Sequence, residues 1–199
     1  SKDRFDDAIR KITDAICLVK DNADYYARRS FMYHMRGKYI EALADATKAI
    51  ELDPNNARYY NNRSATLHEL KRYEDALIDV TKAIELDPQN AKYYNSRSVT
   101  LLELKRFEEA LVDSTKAIEF EPKNARYYDD RGTALFKLGR IEEALADETK
   151  AIELDPKNAR YYSNRGAALH DIKRYEDALI DSNKAIELDP QNPFLYDSR

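Results

Sequence analysis

The chain has 199 residues, and 33 Lys and Arg against 37 Asp and Glu leave a net charge of −4. That balance argues against a general binder of nucleic acid or anionic membrane, since both need a basic surface, and 43 % hydrophobic residues exclude an acidic disordered tail. Four Gly and six Pro are few for the turns of a β-sandwich, and no apolar run approaches the roughly 18 residues of a membrane span. The lone Cys17 cannot form an internal disulfide, and no secretory signal opens the chain, so a reducing, cytoplasmic setting is expected.

Pro54, Pro88, Pro122, Pro156 and Pro190 follow one another at intervals of 34, and Pro193 stands where Ala57, Ala91, Ala125 and Ala159 recur. Counted from that alanine, residues 1–22 fill positions 13 to 34 of a partial repeat. Five full copies follow, at 23–56, 57–90, 91–124, 125–158 and 159–192, and residues 193–199 begin another. All form one array over 1–199. Copies two and five differ at seven of 34 positions, which points to recent duplication or design.

In chain order, residues 3–20 predict a lone second helix with Phe5, Ile9, Ile12 and Ile16 on its apolar side. Each full copy then predicts two helices. Asn56, Asn90, Asn124 and Asn158 are candidate N-caps of the first, because an Asn oxygen accepts from the free N–H groups of a first turn. In copy two the first helix carries Tyr59, Tyr60, Leu67 and Leu70, and a break follows around Lys71–Arg72. The second helix carries Tyr73, Ala76, Leu77, Val80, Ala83, Ile84 and Leu86, spaced three or four apart along one face. Asp87-Pro88 ends it, because a residue before proline is driven out of the α region. Small residues at position 8 (Ser30, Ser64, Ser98, Gly132, Gly166) and alanines at positions 20 and 27 mark close helix crossings.

The unit Ala-Arg-Tyr-Tyr…Ser64…Leu67…Tyr73…Ala76…Ala83…Pro88 resembles the tetratricopeptide repeat along the whole chain. The resemblance implies an all-α fold, a right-handed superhelical solenoid of antiparallel helical hairpins, with first helices lining a concave groove. Two departures stand out. Tyr replaces the family's Trp at position 4, and Arg29, Arg63, Arg97, Arg131 and Arg165 replace its Leu at position 7. Asp45, Asp79, Asp113, Asp147 and Asp181 recur in register at position 23. A half-buried guanidinium needs a carboxylate, so an Arg–Asp ladder is expected rather than a ligand-binding Arg row.

The expected peptide-binding groove comprises Arg58, Asn61, Asn62, His68, Lys92, Asn95, Val99, Leu102, Arg126, Asp129, Asp130, Phe136, Arg160, Asn164 and His170. Its positions vary more between copies than those of the second helix. The histidines His34, His68 and His170 share position 12, and groove lining accounts for them better than metal binding, which needs three or four converging ligands. Glu148 replaces Ala46, Val80, Ser114 and Ser182 at position 24. It is read as a solvated glutamate at a helix edge, in preference to an acidic dock for a basic peptide with Asp129 and Asp130. The carboxylate clamp of the family's chaperone-binding members maps to Ala27, Phe31, Asn62, Lys92 and Ser96, of which Asn62 and Lys92 alone match.

No catalytic constellation, phosphate loop or metal motif is legible, so no enzyme activity, cofactor or metal is expected. The expected function is a protein–protein interaction scaffold for a peptide or protein, with no nucleic acid or membrane partner. Two alternatives stand beside it: a structural module stacking head to tail, and a targeting arm of a larger protein. The exposed apolar residues of 3–20, with Phe194, Leu195 and Tyr196 at the other end, would favour the head-to-tail association.

Overall fold

A computed structural model describes residues 2–197. It contains helices and no strand among the described residues. The helices are α1 (Lys2–Leu18), α2 (Ala23–Met35), α3 (Tyr39–Leu52), α4 (Ala57–Glu69), α5 (Tyr73–Leu86), α6 (Ala91–Glu103), α7 (Phe107–Phe120), α8 (Ala125–Lys137), α9 (Ile141–Leu154), α10 (Ala159–Asp171), α11 (Tyr175–Leu188) and the short α12 (Phe194–Asp197). Two compact units result, residues 1–100 and 101–199. In the first, each helix from α1 to α5 packs on the next, and α2 also touches α4. In the second, each helix from α7 to α12 packs on the next, and α8 also touches α10.

The turn inside each hairpin is set by position 15. Gly37, Lys71, Lys105, Gly139 and Lys173 all adopt positive φ, between 57° and 75°. A left-handed residue closes the first helix: the Lys71 N–H donates to His68 O at 2.8 Å and the Arg72 N–H to Leu67 O at 2.9 Å. Those two bonds satisfy carbonyls that a helix end leaves open. Glycine takes this conformation freely, whereas the three lysines bear a steric penalty there.

At the start of the first helices, the side chains of Asn90, Asn124 and Asn158 accept from the N–H of the residue two further on. Asn56 departs from the expectation. It makes no capping bond, although its Nδ2 donates to Asp53 Oδ2 at 3.4 Å just as the Asn90 amide donates to Asp87.

The crossings fall at the small residues. Ala42, Ala49, Ala76, Ala83, Ala110, Ala117, Ala144, Ala151, Ala178 and Ala185 are all buried. Ser30 Oγ donates to the Ala42 carbonyl at 2.7 Å, so position 8 of a first helix lies directly against position 20 of its second helix. Aromatic side chains fill the spaces between copies. Tyr59 joins Ala27, Ala49 and Ile50, Tyr93 joins Val80, Ala83 and Ile84, and Tyr161 joins Ala125 and Ala151.

The ends bury more than the sequence suggests. Ile16 is buried, and so is Leu195, whose short helix packs on α11. Phe5, Ile9 and Ile12 are half-buried, while Phe194 is exposed. The Tyr196 side chain lies outside the described residues. The apolar surface available for the expected end-to-end stacking is correspondingly smaller.

Candidate functional site

In four of the hairpins an Arg–Asp pair ties the first helix to the second. Arg29 Nε donates to Asp45 Oδ2 at 2.7 Å and its Nη2 to Asp45 Oδ1 at 2.9 Å. The same two-pronged geometry joins Arg63 to Asp79, Arg131 to Asp147 and Arg165 to Asp181. The carboxylates are buried and the guanidinium groups largely so. Hydrogen bonds donated to the Asp partners raise the affinity of these four Arg for their protons, against the opposing effect of burial.

Each guanidinium has further neighbours. Arg29, Arg63, Arg97, Arg131 and Arg165 lie 5.7–5.9 Å from the ring centres of Tyr26, Tyr60, Tyr94, Tyr128 and Tyr162. Arg29, Arg63 and Arg165 also donate to Thr13, Thr47 and Thr149 of the preceding copy. The two departures from the family pattern are thus one device, in which the Tyr at position 4 supplies the face over which the Arg at position 7 lies.

Neighbouring first helices are joined by polar contacts. Between α2 and α4, Arg58 Nη2 and Tyr59 Oη donate to Asp24 Oδ1 at 2.7 and 2.8 Å, and His34 Nδ1 lies 3.2 Å from Thr66 Oγ1. Between α8 and α10, Arg160 pairs with both Asp129 and Asp130, and Asn164 Nδ2 donates to Asp129 Oδ1 at 2.8 Å. Arg126 adds a weaker pairing to Asp130 at 3.4 Å.

These contacts change the expected groove. Lys92, Arg126, Arg160 and His170 are exposed, and Asn62, His68, Val99, Leu102, Phe136 and Asn164 are half-buried. Arg58 is exposed but tied to Asp24. Asn95, Asp129 and Asp130 are buried instead of open to a ligand. In the α8 case the reason is visible: α10 comes close enough for Arg160 and Asn164 to cover both carboxylates. Asn61, half-buried, and Asn95 each keep a buried Oδ1 with no hydrogen-bond partner. The three histidines meet the tyrosine five positions on edge to face, with ring centres 5.1–5.5 Å apart for His34–Tyr39, His68–Tyr73 and His170–Tyr175.

The largest correction concerns Glu148. It is 2 % exposed and not a solvated edge residue. Position 24 points into the hairpin interior, where Ala46, Val80, Ser114 and Ser182 are buried in the other copies. Burial, with the Asp147 carboxylate alongside, pushes Glu148 up to about 9. Gly132 makes the space for it, since a Cβ at that position would come within 2.8 Å of Glu148 Oε1. The residue lines a cavity of about 180 Å³ between α8, α9 and α10. Thr133, Phe136, Lys137, Asn164 and Ala167, which also line it, stand on the first helices α8 and α10, and Phe136 and Asn164 are among the predicted groove residues. A broader recess of about 730 Å³ lies over the Glu121–Arg126 turn, away from these positions.

Tetratricopeptide repeat models match residues 23–56, 46–78, 80–112 and 159–192, and a TPR repeat model matches residues 132–173. Among curated proteins none matches significantly. The fold is similar to the crystal structure of YrrB, a TPR protein with an unusual peptide-binding site, at 24 % identity and a TM-score of 0.71, over 94 % of this chain and 96 % of that one. It is similar to MamA from Desulfovibrio magneticus RS-1 at 23 % identity and a TM-score of 0.76, over 86 % and 97 %. The APC/C hetero-tetramer Cut9-Hcn1 superimposes with a TM-score of 0.87 at 14 % identity, over 98 % of this chain and 39 % of that one. At these identities the solved structures establish the fold.

Proposed function

Because the chain belongs to the tetratricopeptide repeat family, we propose that it is a non-enzymatic scaffold holding a peptide or protein along the face of its first helices. The cavity between α8 and α10 carries this reading, because its open side is built from positions that vary between copies while the Arg–Asp frame behind it stays constant. Repeat arrays bind partners on such extended faces. YrrB, whose name describes a peptide-binding site, supports the same reading.

Each unit offers its own contacts. In residues 1–100 the Asn62 amide can pair with an extended peptide backbone, beside His68, Lys92 and Val99. In residues 101–199 Leu102 and Phe136 receive an apolar anchor beside Arg126, Asn164, Arg160 and His170. A peptide with the chaperones' acidic C-terminal motif should bind weakly, since Ala27, Phe31 and Ser96 supply none of the charges that grip a carboxylate. The free, exposed Cys17 suits a reducing compartment such as the cytoplasm. No described helix is long and apolar enough to cross a membrane.

The test is to pan a random peptide library on the full chain and map the selected peptide by amide chemical shifts. Shifts centred on Asn62, Val99, Thr133 and Asn164 are expected. Shifts centred on the second helices, or no selected peptide at all, would overturn the reading.

A further inference from the structure

No fully buried side chain among the described residues is larger than Glu148. The fold does not require it, because four sibling copies fill the same position with Ala, Val or Ser. A carboxyl group withdrawn from water destabilises a protein unless it is matched, and Glu148 Oε2 has no hydrogen-bond partner. The charged and polar groups around it come from three helices. On α9 itself stands Asp147, on α8 Asp129, Asp130, Arg131 and Lys137, and on α10 Arg160, Asn164 and Arg165.

Most of those cations are already engaged. Arg131 is paired with Asp147, Arg165 with Asp181, and Arg160 with Asp129 and Asp130. Lys137 lies 5.9 Å from the centre of the Phe136 ring. The nearby carboxylates Asp147 and Asp130 repel negative charge on Glu148, while a hydrogen bond from Asn164 and the charge of Arg165 favour it. Lys137 is the cation among the residues that line the cavity, set over the Phe136 ring, and Glu148 Oε2 is left without a partner there. The other walls of the cavity are largely apolar: Phe136, Ala144, Ala167 and Ala168. At about 180 Å³ it holds one long side chain, well below the roughly 300–1,000 Å³ of small-molecule sites.

We propose that this cavity is a specificity pocket for one lysine of the bound peptide, whose methylene stem lies along Phe136, Ala144, Ala167 and Ala168 and whose ammonium pairs with Glu148 Oε2. The proposal rests on the groove reading and adds a residue preference to it. A lysine stem is apolar and its head charged, which matches apolar walls ending in a carboxyl. In the free protein Glu148 carries its proton at neutral pH. The ammonium arrives charged, Glu148 gives up its proton to solvent, and an ion pair remains, so up to one proton leaves per lysine bound.

The experiment uses n-butylammonium as the probe, titrated into the full chain with amide shifts recorded, and 1-pentanol as the neutral control of similar length. Saturable shifts at Gly132, Thr133, Asn164 and Ala167 are expected, at least tenfold weaker in affinity for 1-pentanol and for Glu148→Gln. Unbuffered potentiometry at pH 7 should register proton release in the parent chain and none in E148Q. Ala167→Leu, which fills the cavity without touching the carboxyl, should abolish the shifts, and thermal melts check that both variants fold. Equal binding by E148Q, equal binding by pentanol, or no saturable shift to about 100 mM overturns the pocket. A groove peptide indifferent to replacement of every lysine by norleucine overturns the pocket and leaves the groove standing, so the two failures are distinguishable.

Discussion

Two hairpins built on one frame treat the same interior position in opposite ways. In α4–α5, position 24 is Val80, fully buried with Ala83, Ile84 and Tyr93, and position 8 is Ser64. In α8–α9, position 24 is Glu148 and position 8 is Gly132. The Arg63–Asp79 and Arg131–Asp147 pairs nevertheless have matching geometry, with all four bonds at 2.6–2.7 Å. The Arg–Asp geometry is the same in both, and between these two hairpins positions 8 and 24 both change within it. An interior can thus host a carboxyl group without altering the fold, provided that a glycine yields the space.

The two hairpins should differ most in their response to pH. Folded protein keeps the Glu148 proton up to about pH 9, whereas the ordinary value is 4.5. Between those limits the folded state binds more protons than the unfolded chain, so stability falls as pH rises. Relative to E148Q, the parent chain should lose up to about 1.4 kcal/mol per pH unit in that window, measured by urea denaturation at several pH values. Equal slopes would mean that Glu148 ionises normally.

Next comes the frame itself. Asp79→Ala leaves Arg63 without its partner and should cost about 3 kcal/mol. Asp147→Ala should cost less, because it also removes a carboxylate that presses on Glu148. Equal losses in urea melts would show that the two carboxylates are not coupled.

A double-mutant cycle tests the paired positions. Gly132→Ser should cost about 1–3 kcal/mol through overpacking against Glu148. In the Glu148→Ser background, which restores the Ser98/Ser114 pairing of copy three, the cost should disappear, giving a coupling of comparable size. The smallest effect is at the turns. Lys173→Gly should stabilise copy five by up to about 1 kcal/mol by relieving a left-handed lysine, and Gly139→Lys should reverse it in copy four.

Much of this architecture is legible in the residues alone. The 34-residue period and the alanines imply the hairpins, and the in-register Arg and Asp imply the ladder, since a buried cation leaves few choices of partner. Three other features are not legible there. The burial of Asp129 and Asp130 depends on how near α10 approaches, a tertiary distance that a lone sequence does not carry. Asn56 looks identical to the capping asparagines, and nothing in the structure explains its missing cap, since Asn90 donates its amide to Asp87 in the same way and still caps. Glu148 resembles any charged residue on a helix. Its one signal is Gly132 at the facing position, and Gly166 opposite Ser182 blunts that signal because the same glycine there accompanies no acid.

The Arg–Thr links have a consequence for how the array comes apart. Arg29, Arg63 and Arg165 each hold their own copy's aspartate with two bonds and reach back to the previous copy with one. When a preceding copy melts, the arginine forfeits its threonine and retains its carboxylate, so the loss stops at the boundary. Within each unit, hydrogen-exchange protection should therefore descend in terraces one copy wide, a zipper with stops at each tooth.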